Sequence, residues 1–564
     1  MTPTWLKTSL TVIACAALWL PGTAPAAGRA QAGKPAAVQA VAQVKPPKLV
    51  VVMVIDGLPA EQLERYRDQF GPGGLRRLLQ EGASFTDAHQ AHGITVTAVG
   101  HSAVLTGAYP YRHGIIGNNW IGADGTQVYC TEDARYHYID EDTDKHDGTS
   151  PANLRVDTLG DQLRYASGNR SKVVTVSGKD RGAILLAGKT GTAYMYMDKT
   201  GDFASSTYYM DRHPAWVERF RAAKPQDRYY GKSWKPLLEE SAYADDAPYP
   251  DATTASPNRF PFTFHSDSGA PAADYYGRLK TSPAIDELTL DFAEAAVDGE
   301  RLGRNPTGAT DLLGVSLSGH DYVNHAYGPE SRMSHDHLQQ VDRRIARFFA
   351  FLDRRVGLDN VLVVLTADHG FANTAEFSQA RHIDALRVNP KVLLENLKAA
   401  LAERFGVDKL VRTSLLPEVY LDDDAIARRG LARADVENAA ARYLLAQPGI
   451  AQVFTRTQLE QGVAAQSRLG TLMQRAWHRT LSGDLLVVTT PYTIFGSGTS
   501  GASHGTPWQY DTSVPLLLMG RRWIRPGAQA GYAEVVDIAP TLADILHVRR
   551  PAGAEGRMLT EALR

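Results

Sequence analysis

The sequence predicts an α/β fold in which a mostly parallel β-sheet is sandwiched by helices. Four apolar runs of strand length are each followed at once by polar residues: LVVVMVID (49–56), KVVTVSGKDR (172–181), LLGVSLSGHD (312–321) and VLVVLTADHG (361–370). Helical stretches lie between these runs, at 75–81, 282–297 and 334–352. Continuous apolar runs that alternate with helices are typical of strands buried on both faces of a parallel sheet.

The chain has 564 residues, enough to bury a large core and to hold more than one domain. Hydrophobic residues make up 43% and charged residues 22%, as in an ordinary globular protein, and the formal net charge is -2. This charge gives no electrostatic reason to expect a nucleic acid or an anionic membrane as a partner. Recognition is therefore expected to depend on local groups.

The N-terminus has the pattern of a secretory signal peptide, predicted over residues 1–26. Lys7 provides a positive charge, residues 10–20 are apolar, and Ala-Pro-Ala at 24–26 forms a small-residue cleavage site. The apolar run is shorter than a typical membrane-spanning helix. A lipoprotein-like box leaves lipidation at Cys15 as an alternative. Cleavage would leave Cys130 as the remaining cysteine and no membrane span, in a protein of the bacterial periplasm or secreted from the cell.

Composition divides the rest of the chain into a core and two insertions. Residues 27–47 are rich in Ala, Gln, Lys, Gly and Pro and are predicted to be a flexible leader. The α/β core is predicted over 48–389 and again over 484–564. Residues 190–282, rich in Tyr, Pro, Ser and Asp, are predicted to form a cap over the sheet edge at which the strands' carboxyl ends lie. Residues 390–483 are predicted to form a small α+β subdomain. Two strands, at 484–490 and 514–519, and a helix near 537–546 are predicted to complete the core.

A candidate nucleophile, Thr97, stands just before a segment, 100–106, that is predicted to start a helix. A helix N-terminus offers unpaired N–H groups and a positive dipole end, so a hydroxyl placed there faces an anion-binding site. A threonine before a helix is more often an ordinary N-cap. The assignment therefore depends on the residues that the fold brings to the same place.

Acids and histidines follow the predicted strands, and they are Asp56, Asp321 with His325, Asp368 with His369, and His504 in the segment GASHGTPWQYD. Because ligands bind at the carboxyl ends of the strands in such sheets, these side chains are expected to converge. Asp and His supply the oxygen and nitrogen ligands that zinc takes, in sufficient number for two ions with open positions for substrate. Each residue alone is more simply interpreted as a helix cap or a hydrogen-bonded histidine. The whole set favours a metal centre.

With Thr97 in TAVGH and Asn118 in GNNW, these motifs resemble the alkaline phosphatase superfamily, in the branch with a threonine nucleophile. That branch includes the nucleotide pyrophosphatase/phosphodiesterases and a group of periplasmic alkaline phosphatases. The resemblance runs from Lys48 nearly to the C-terminus. It implies two zinc ions, held by two sets of ligands: Asp321, His325 and His504 for one, and Asp56, Asp368, His369 and Thr97 for the other.

Two features favour the monoesterase group of this branch. Lys179 and Arg181 follow their strand where those phosphatases carry a Lys-x-Arg pair that grips phosphoryl oxygens, and the nucleophile segment VTAVG (96–100) lacks the Lys-Thr-Phe-Pro-Asn of the diesterases. A phosphate monoester carries more charge on its non-bridging oxygens than a diester, so two extra cations suit it. The alternative for this pair is a solvated loop. The sequence also lacks the Cys/Ser-x-Pro-x-Arg motif of sulfatases.

The resemblance thus implies a di-zinc alkaline phosphatase that hydrolyses phosphate monoesters through a phosphothreonine on Thr97. Asn118, Lys179 and Arg181 would stabilise the phosphoryl oxygens. The alternatives are a phosphodiesterase or nucleotide pyrophosphatase with the same metals, a phosphonate hydrolase, and a non-catalytic metal- or phosphate-binding protein. The last would need neither a nucleophile nor a full ligand set. The expected partners are small-molecule phosphate monoesters, with no nucleic acid-binding module, and the chain is expected to be a monomer.

Overall fold

A computed structural model of the protein describes residues 44–247, 260–498 and 501–564. The predicted signal peptide at 1–26, Cys15 and most of the predicted leader at 27–47 lie outside these residues. The last residues of that leader are held against the core, since Trp523 Nε1 donates a hydrogen bond to the Lys45 carbonyl at 2.9 Å. Among the described residues, none of the helices combines the length and the hydropathy that crossing a membrane requires.

A nine-stranded sheet lies at the centre of the fold. Its strands, in spatial order, are Gly527–Gln529, Ala83–Phe85, Leu516–Met519, Val361–Thr366, Leu49–Ile55, Asp311–Leu317, Val173–Ser177, Thr192–Tyr196 and Phe203–Ala204. The five strands from Val361–Thr366 to Thr192–Tyr196 are parallel to one another. Leu516–Met519 and Phe203–Ala204 pair with this group in antiparallel register. The predicted mostly parallel sheet is confirmed.

Helices cover this sheet, which explains why its central strands are apolar throughout. Every residue of Leu49–Ile55 and of Asp311–Leu317 is buried. The α-helices are Ala60–Arg65, Leu75–Glu81, Thr97–Thr106, Pro110–His113, Leu159–Ala166, Asp180–Ala187, Ala215–Ala222, Ala273–Lys280, Pro283–Gly299, Gly319–Tyr327, Arg332–Arg355, Ala375–Gln379, Pro390–Phe405, Asp423–Arg428, Arg433–Leu445, Arg456–Glu460, Arg468–Ala476, Gln509–Thr512 and Ile538–Leu546. The helix Pro283–Gly299 has Ser282 as its N-cap, whose hydroxyl accepts a hydrogen bond from the Ala284 N–H, and its first turn contains a proline.

The segment predicted as a cap, 190–282, begins inside the central sheet. Its first part contains Thr192–Tyr196 and Phe203–Ala204, the last two strands of that sheet. Turn residues on both sides of the short TAYMY run concealed this strand in the sequence. In its described residues, the remainder carries two α-helices and the paired strands Ser233–Trp234 and Phe262–Thr263. The Trp234 indole N–H donates to Asp336 at 2.6 Å and so ties this segment to the helix Arg332–Arg355.

A second, four-stranded sheet lies in the predicted α+β subdomain. Its strands, in spatial order, are Val411–Leu415, Glu418–Leu421, Leu485–Thr489 and Ile450–Thr455. The strand that we expected at 484–490 in the central sheet is thus part of the small sheet, paired with Glu418–Leu421 and Ile450–Thr455. A buried apolar strand of five residues fits either sheet equally well, so the sequence pattern did not distinguish them. Three further strand pairs are Ala88–His89 with Ala533–Glu534, Asn119–Ile121 with Gln127–Tyr129, and Arg387–Val388 with Ile494–Phe495.

Candidate active site

Polar side chains meet where three neighbouring parallel strands end. Asp56 directly follows Leu49–Ile55, and Asp321 lies in the helix Gly319–Tyr327 that follows the adjacent strand. Asp368 and His369 lie in an irregular loop after Val361–Thr366. All four are buried. The parallel order of the strands brings these residues to one edge of the sheet, as the sequence predicted.

Asp321, His325 and His504 form a first cluster, which we call the first half-site. The Nε2 atoms of His325 and His504 each lie 3.4 Å from Asp321 Oδ1, and they are 3.2 Å from each other. Asp321 and His325 face the same way because they are four residues apart on one helix. His504 comes from the segment that returns from the small sheet. The first half-site thus offers one carboxylate and two imidazoles, which are ligands that zinc takes.

Asp56, Asp368 and His369 form the second half-site. His369 Nε2 lies 3.5 Å from Asp56 Oδ1 and 3.6 Å from Asp368 Oδ2. The other carboxylate oxygen of Asp368 accepts hydrogen bonds from the Gly57 and His369 N–H groups, at 3.0 and 3.1 Å. These bonds fix its rotamer. The His369 ring stacks on His504 with centroids 3.5 Å apart, so the two half-sites are immediate neighbours.

All three histidines use Nδ1 in the same way. Each Nδ1 faces a backbone carbonyl, of Ala502 for His325 (3.0 Å), of Gly370 for His369 (2.9 Å) and of Thr95 for His504 (2.8 Å). A carbonyl can only accept, so each Nδ1 carries a hydrogen, and Nε2 is the ring nitrogen left to bind a metal. Metal-binding histidines are held by outer hydrogen bonds of this kind.

The half-sites contain buried polar atoms that fit a cation. Five of them make no hydrogen bond among the described residues, and they are Asp56 Oδ1, Asp56 Oδ2, Asp321 Oδ1, Asp368 Oδ2 and His369 Nε2. Leaving such atoms unpaired in the interior is costly. Lys179 supplies one positive charge, with Nζ at 2.8 Å from Asp56 Oδ2 and 2.5 Å from Asp321 Oδ2. The carboxylate and imidazole atoms that remain are suited to divalent metal ions.

The local electrostatics indicate the same need for cations. Burial and the nearby Asp368 carboxylate raise the pKa of Asp56 well above its ordinary value. Burial opposes ionisation of Asp321 as well, but Lys179, together with His325 and His504, outweighs it and holds the pKa of Asp321 well below its ordinary value. Burial lowers the pKa of His369 to about 3, so its imidazole is neutral and free to bind a metal.

Thr97 is the first residue of the helix Thr97–Thr106, which we call the nucleophile helix. The helix begins three residues earlier than the predicted start at 100, and its N-cap is Val96, whose side chain makes no capping bond. The interpretation of Thr97 as an ordinary N-cap is therefore wrong. Asn118 Oδ1 accepts from the Ala98 N–H at 2.9 Å, which places the predicted asparagine at this helix start. Gly100 lets the helix lie directly on the backbone of Asp368.

His101 is a buried residue of this region that the sequence reasoning missed. Its Nδ1 lies 2.9 Å from the Thr97 carbonyl oxygen and 3.0 Å from Asp368 Oδ2, and its Nε2 lies 2.8 Å from Ser316 Oγ. The imidazole thus connects the nucleophile helix to the second half-site. The available signal was its spacing of four residues from Thr97, which places both residues on one helix face.

Lys179 and Arg181 occupy different positions. Lys179 precedes the helix Asp180–Ala187, and its side chain, 2% exposed, reaches both half-sites. The solvated-loop alternative is wrong for this residue. Arg181 is partly buried and its guanidinium instead donates to the Tyr129 hydroxyl at 3.2 Å. The helix Asp180–Ala187, which begins beside them, packs against the nucleophile helix.

Known proteins resemble this chain over most of its length. The type I phosphodiesterase / nucleotide pyrophosphatase family matches residues 50–508. A protein of Myroides odoratus named calcium-transporting ATPase is 35% identical over 93% of this chain and 96% of its own. Alkaline phosphatase PhoV of Synechococcus elongatus is 35% identical over 92% and 93%. Alkaline phosphatase PafA of Elizabethkingia meningoseptica is 33% identical over 97% and 98%.

Solved structures agree with these relatives. The crystal structure of alkaline phosphatase PafA superposes with a TM-score of 0.86 at 32% identity, covering 92% of this chain and all of that one. Murine ectonucleotide pyrophosphatase / phosphodiesterase 5 has a TM-score of 0.51 at 10% identity, which shows a shared fold. This protein therefore belongs to the type I phosphodiesterase / nucleotide pyrophosphatase family of the alkaline phosphatase superfamily.

Proposed function

We propose that this protein is an alkaline phosphatase that hydrolyses phosphate monoesters at a two-metal centre, with Thr97 as nucleophile. The observation that carries the proposal is the pair of adjoining half-sites beside the nucleophile helix, with Lys179 reaching both. Relatives named alkaline phosphatase cover more than nine-tenths of the chain and support the same substrate class. The chain is thus a phosphoric monoester hydrolase.

Two zinc ions fit the two half-sites. Asp321, His325 and His504 would hold one ion. Asp56, Asp368 and His369, together with the Thr97 hydroxyl, would hold the other. Bound there, the ions would lower the pKa of the nucleophilic hydroxyl and neutralise charge on the leaving oxygen.

Side chains of the protein carry out the remaining steps of the reaction. Thr97 loses its hydroxyl proton to solvent water and its oxygen attacks phosphorus, so that a phosphothreonine forms as the P–O bond to the leaving group breaks. The departing alkoxide takes up a proton from water and leaves as the alcohol. Water hydrolyses this ester, so two inversions leave the configuration at phosphorus unchanged. Asn118, Lys179 and Arg181 donate to the phosphoryl oxygens, whose charge the surrounding dipoles stabilise in both steps. The nucleophile helix adds the partial positive charge of its N-terminus.

A further comparison supports these roles. A second crystal structure of PafA carries substitutions at a threonine, an asparagine, a lysine and an arginine. Thr97, Asn118, Lys179 and Arg181 are the same residue types in the same chain order.

We also propose that the enzyme is exported to the periplasm or secreted, and that it acts as a monomer. The pattern at 1–26 supports export. We further propose that the core carries two insertions, the cap and the α+β subdomain, with limits that differ from those expected from the sequence. The cap follows the strand Phe203–Ala204, and the α+β subdomain includes Leu485–Thr489.

The decisive experiment compares an aryl phosphate with its methyl diester, in the presence and absence of a chelator. Both substrates release the same phenol, so the rate ratio isolates the effect of the substituted non-bridging oxygen. We expect kcat/KM to favour the monoester and to fall to background when metal is removed. A preference for the diester would support the phosphodiesterase alternative, which the matched family's description also favours. Chelator-resistant turnover would contradict a metal centre.

A further inference from the structure

Asp180, the middle residue of the Lys179-Asp180-Arg181 turn, is held by bonds from two separate segments. Tyr129 donates its hydroxyl hydrogen to Asp180 Oδ1 at 2.6 Å. The Gly148 N–H donates to Asp180 Oδ2 at 2.8 Å. The Arg181 N–H adds a third bond, to Oδ1, at 2.7 Å. The carboxylate is thus fully oriented, with no freedom to rotate toward solvent.

The same tyrosine also holds the arginine. Arg181 Nη1 lies 3.2 Å from the Tyr129 hydroxyl oxygen. A phenol has one hydrogen, which goes to Asp180, so its oxygen accepts from Arg181. Burial and the Asp180 charge raise the pKa of Tyr129, which keeps that hydrogen in place. Within the described part of the chain Arg181 Nε is buried and has no hydrogen-bond partner, so the guanidinium retains a donor that its protein neighbours do not use.

Tyr129 belongs to the hairpin that follows Asn118. In this hairpin Tyr129 is the cross-strand partner of Asn119, and the Cys130 N–H donates to the Asn118 carbonyl at 3.0 Å. The asparagine that contacts the nucleophile helix and the tyrosine that contacts Arg181 are therefore parts of one short rigid element. Movement of the hairpin would therefore displace Asn118 directly and Arg181 through its contact with Tyr129.

Gly148 provides an independent sign that the fit around Asp180 is tight. A Cβ at Gly148 would lie 2.3 Å from Asp180 Oδ2 and 2.4 Å from Thr131 Oγ1. Real side chains do not approach so closely, so any larger residue at Gly148 must displace the Asp180 carboxylate or the hairpin end.

We infer that Tyr129 and Asp180 are positioning residues that hold the Arg181 guanidinium at a fixed place relative to Asn118, so that both grip one phosphoryl group. The inference rests on the proposed role of Arg181 as a phosphoryl ligand. An arginine fork stabilises a transition state only when its long side chain is held in the productive geometry. The hydrogen bond from Arg181 Nη1 to the Tyr129 hydroxyl, at 3.2 Å, and the ion pair with Asp180 Oδ1, at 3.9 Å, provide that restraint from outside the metal centre.

The test is a double-mutant cycle between Tyr129→Phe and Arg181→Ala. Tyr129→Phe keeps the ring and removes the hydroxyl, so the protein is expected to fold. In the wild-type background we expect a loss of about tenfold in kcat/KM for an aryl phosphate, and in the Arg181→Ala background almost no further loss. The methyl diester is expected to lose less than the monoester, because fewer of its oxygens need a cation.

Tyr209→Phe is the matched control. Its hydroxyl is buried without a hydrogen-bond partner in the described residues, and the residue packs against an apolar cluster that includes Ile184, on the helix that begins at Asp180. We expect unchanged kcat/KM on both substrates. Thermal melts of every variant separate lost positioning from lost stability. Gly148→Ala is a second probe from the other side of Asp180, and we expect it to reproduce the selective loss on the monoester.

The outcomes distinguish the inference from the proposed function. Wild-type activity in Arg181→Ala would overturn the role of Arg181 in the proposed function. A large loss in Arg181→Ala with no loss in Tyr129→Phe would leave the proposed function standing and overturn the inference. An equal loss of kcat/KM from Tyr129→Phe in the wild-type and Arg181→Ala backgrounds would show a general structural effect. That result would also overturn the inference.

Discussion

Replacement of Gly100 by alanine should lower the activity strongly and the free energy of unfolding only a little. A Cβ at Gly100 would lie 2.0 Å from the Asp368 carbonyl oxygen, 2.6 Å from its carbonyl carbon and 2.7 Å from its Cα. These are backbone atoms, which cannot rotate away as a side chain can. Ordinary contact begins at 3.4 Å, so the helix and the Asp368 loop must separate by about 1.4 Å at this point.

That displacement affects catalysis and folding differently. It moves Thr97 away from the second half-site, and a misplacement of about 1 Å commonly costs roughly a hundredfold in rate. Overpacking costs on the order of 1–3 kcal/mol of folding free energy. Alanine recovers about 1 kcal/mol of that because it favours helix over glycine. We therefore expect kcat/KM for an aryl phosphate to fall about a hundredfold while the protein stays folded.

Gly277→Ala is the matched control. Gly277 lies inside the helix Ala273–Lys280, and a Cβ there meets no atom within 4 Å. The same substitution should therefore stabilise the protein by about 1 kcal/mol through helix propensity and leave kcat/KM unchanged. Steady-state kinetics and thermal melts on both variants provide the comparison. Wild-type kcat/KM in Gly100→Ala would refute the argument that this contact sets the position of Thr97.

Three further predictions follow from the proposed chemistry. Removal of metal should abolish turnover and lower the melting temperature, because the buried carboxylates lose their counter-ions; full activity of metal-depleted protein would contradict the two-metal centre. Thr97→Ala should lose most activity while still binding metal, Thr97→Ser should keep part of it, and mass spectrometry of acid-quenched enzyme should find phosphate on Thr97; near wild-type rates in Thr97→Ala would exclude it as the nucleophile. Replacing Lys179 and Arg181 together by alanine should lower monoester kcat/KM by at least about a hundredfold and diester turnover much less. Equal losses on the two substrates would mean that this pair does not set the preference.

Local patterns in the sequence were enough to predict the central strands and their polar ends. Apolar runs such as 49–56 are long and bounded by chemically distinct residues, and the parallel order then brings Asp56, Asp321 and Asp368 together. Asp321 and His325 followed from helical spacing alone. These inferences needed neighbours along the chain and one general rule about sheets.

Features that depend on contacts between distant segments were not predictable in this way. The strand Leu485–Thr489 has the same apolar character as a central strand, and its pairing with Glu418–Leu421 decides where it lies. The nucleophile helix begins at Thr97, although Val96 is not a capping residue, because Asn118 supplies the acceptor from a separate hairpin. His101 has no distinctive neighbours in sequence, and its role is visible only beside Asp368.

The two half-sites differ in how the chain assembles them. The residues Asp56, Asp368 and His369 all sit at the ends of adjacent central strands, in the most deeply packed part of the fold. His504 arrives on the segment that returns from the small sheet, and it is anchored by the Thr95 carbonyl. Local opening of that segment would dismantle the first half-site while the central sheet stayed intact. Two ions bound as proposed should accordingly exchange with solvent at different rates, with the one at His504 released first. A partly loaded enzyme that is folded but inactive then becomes an accessible state.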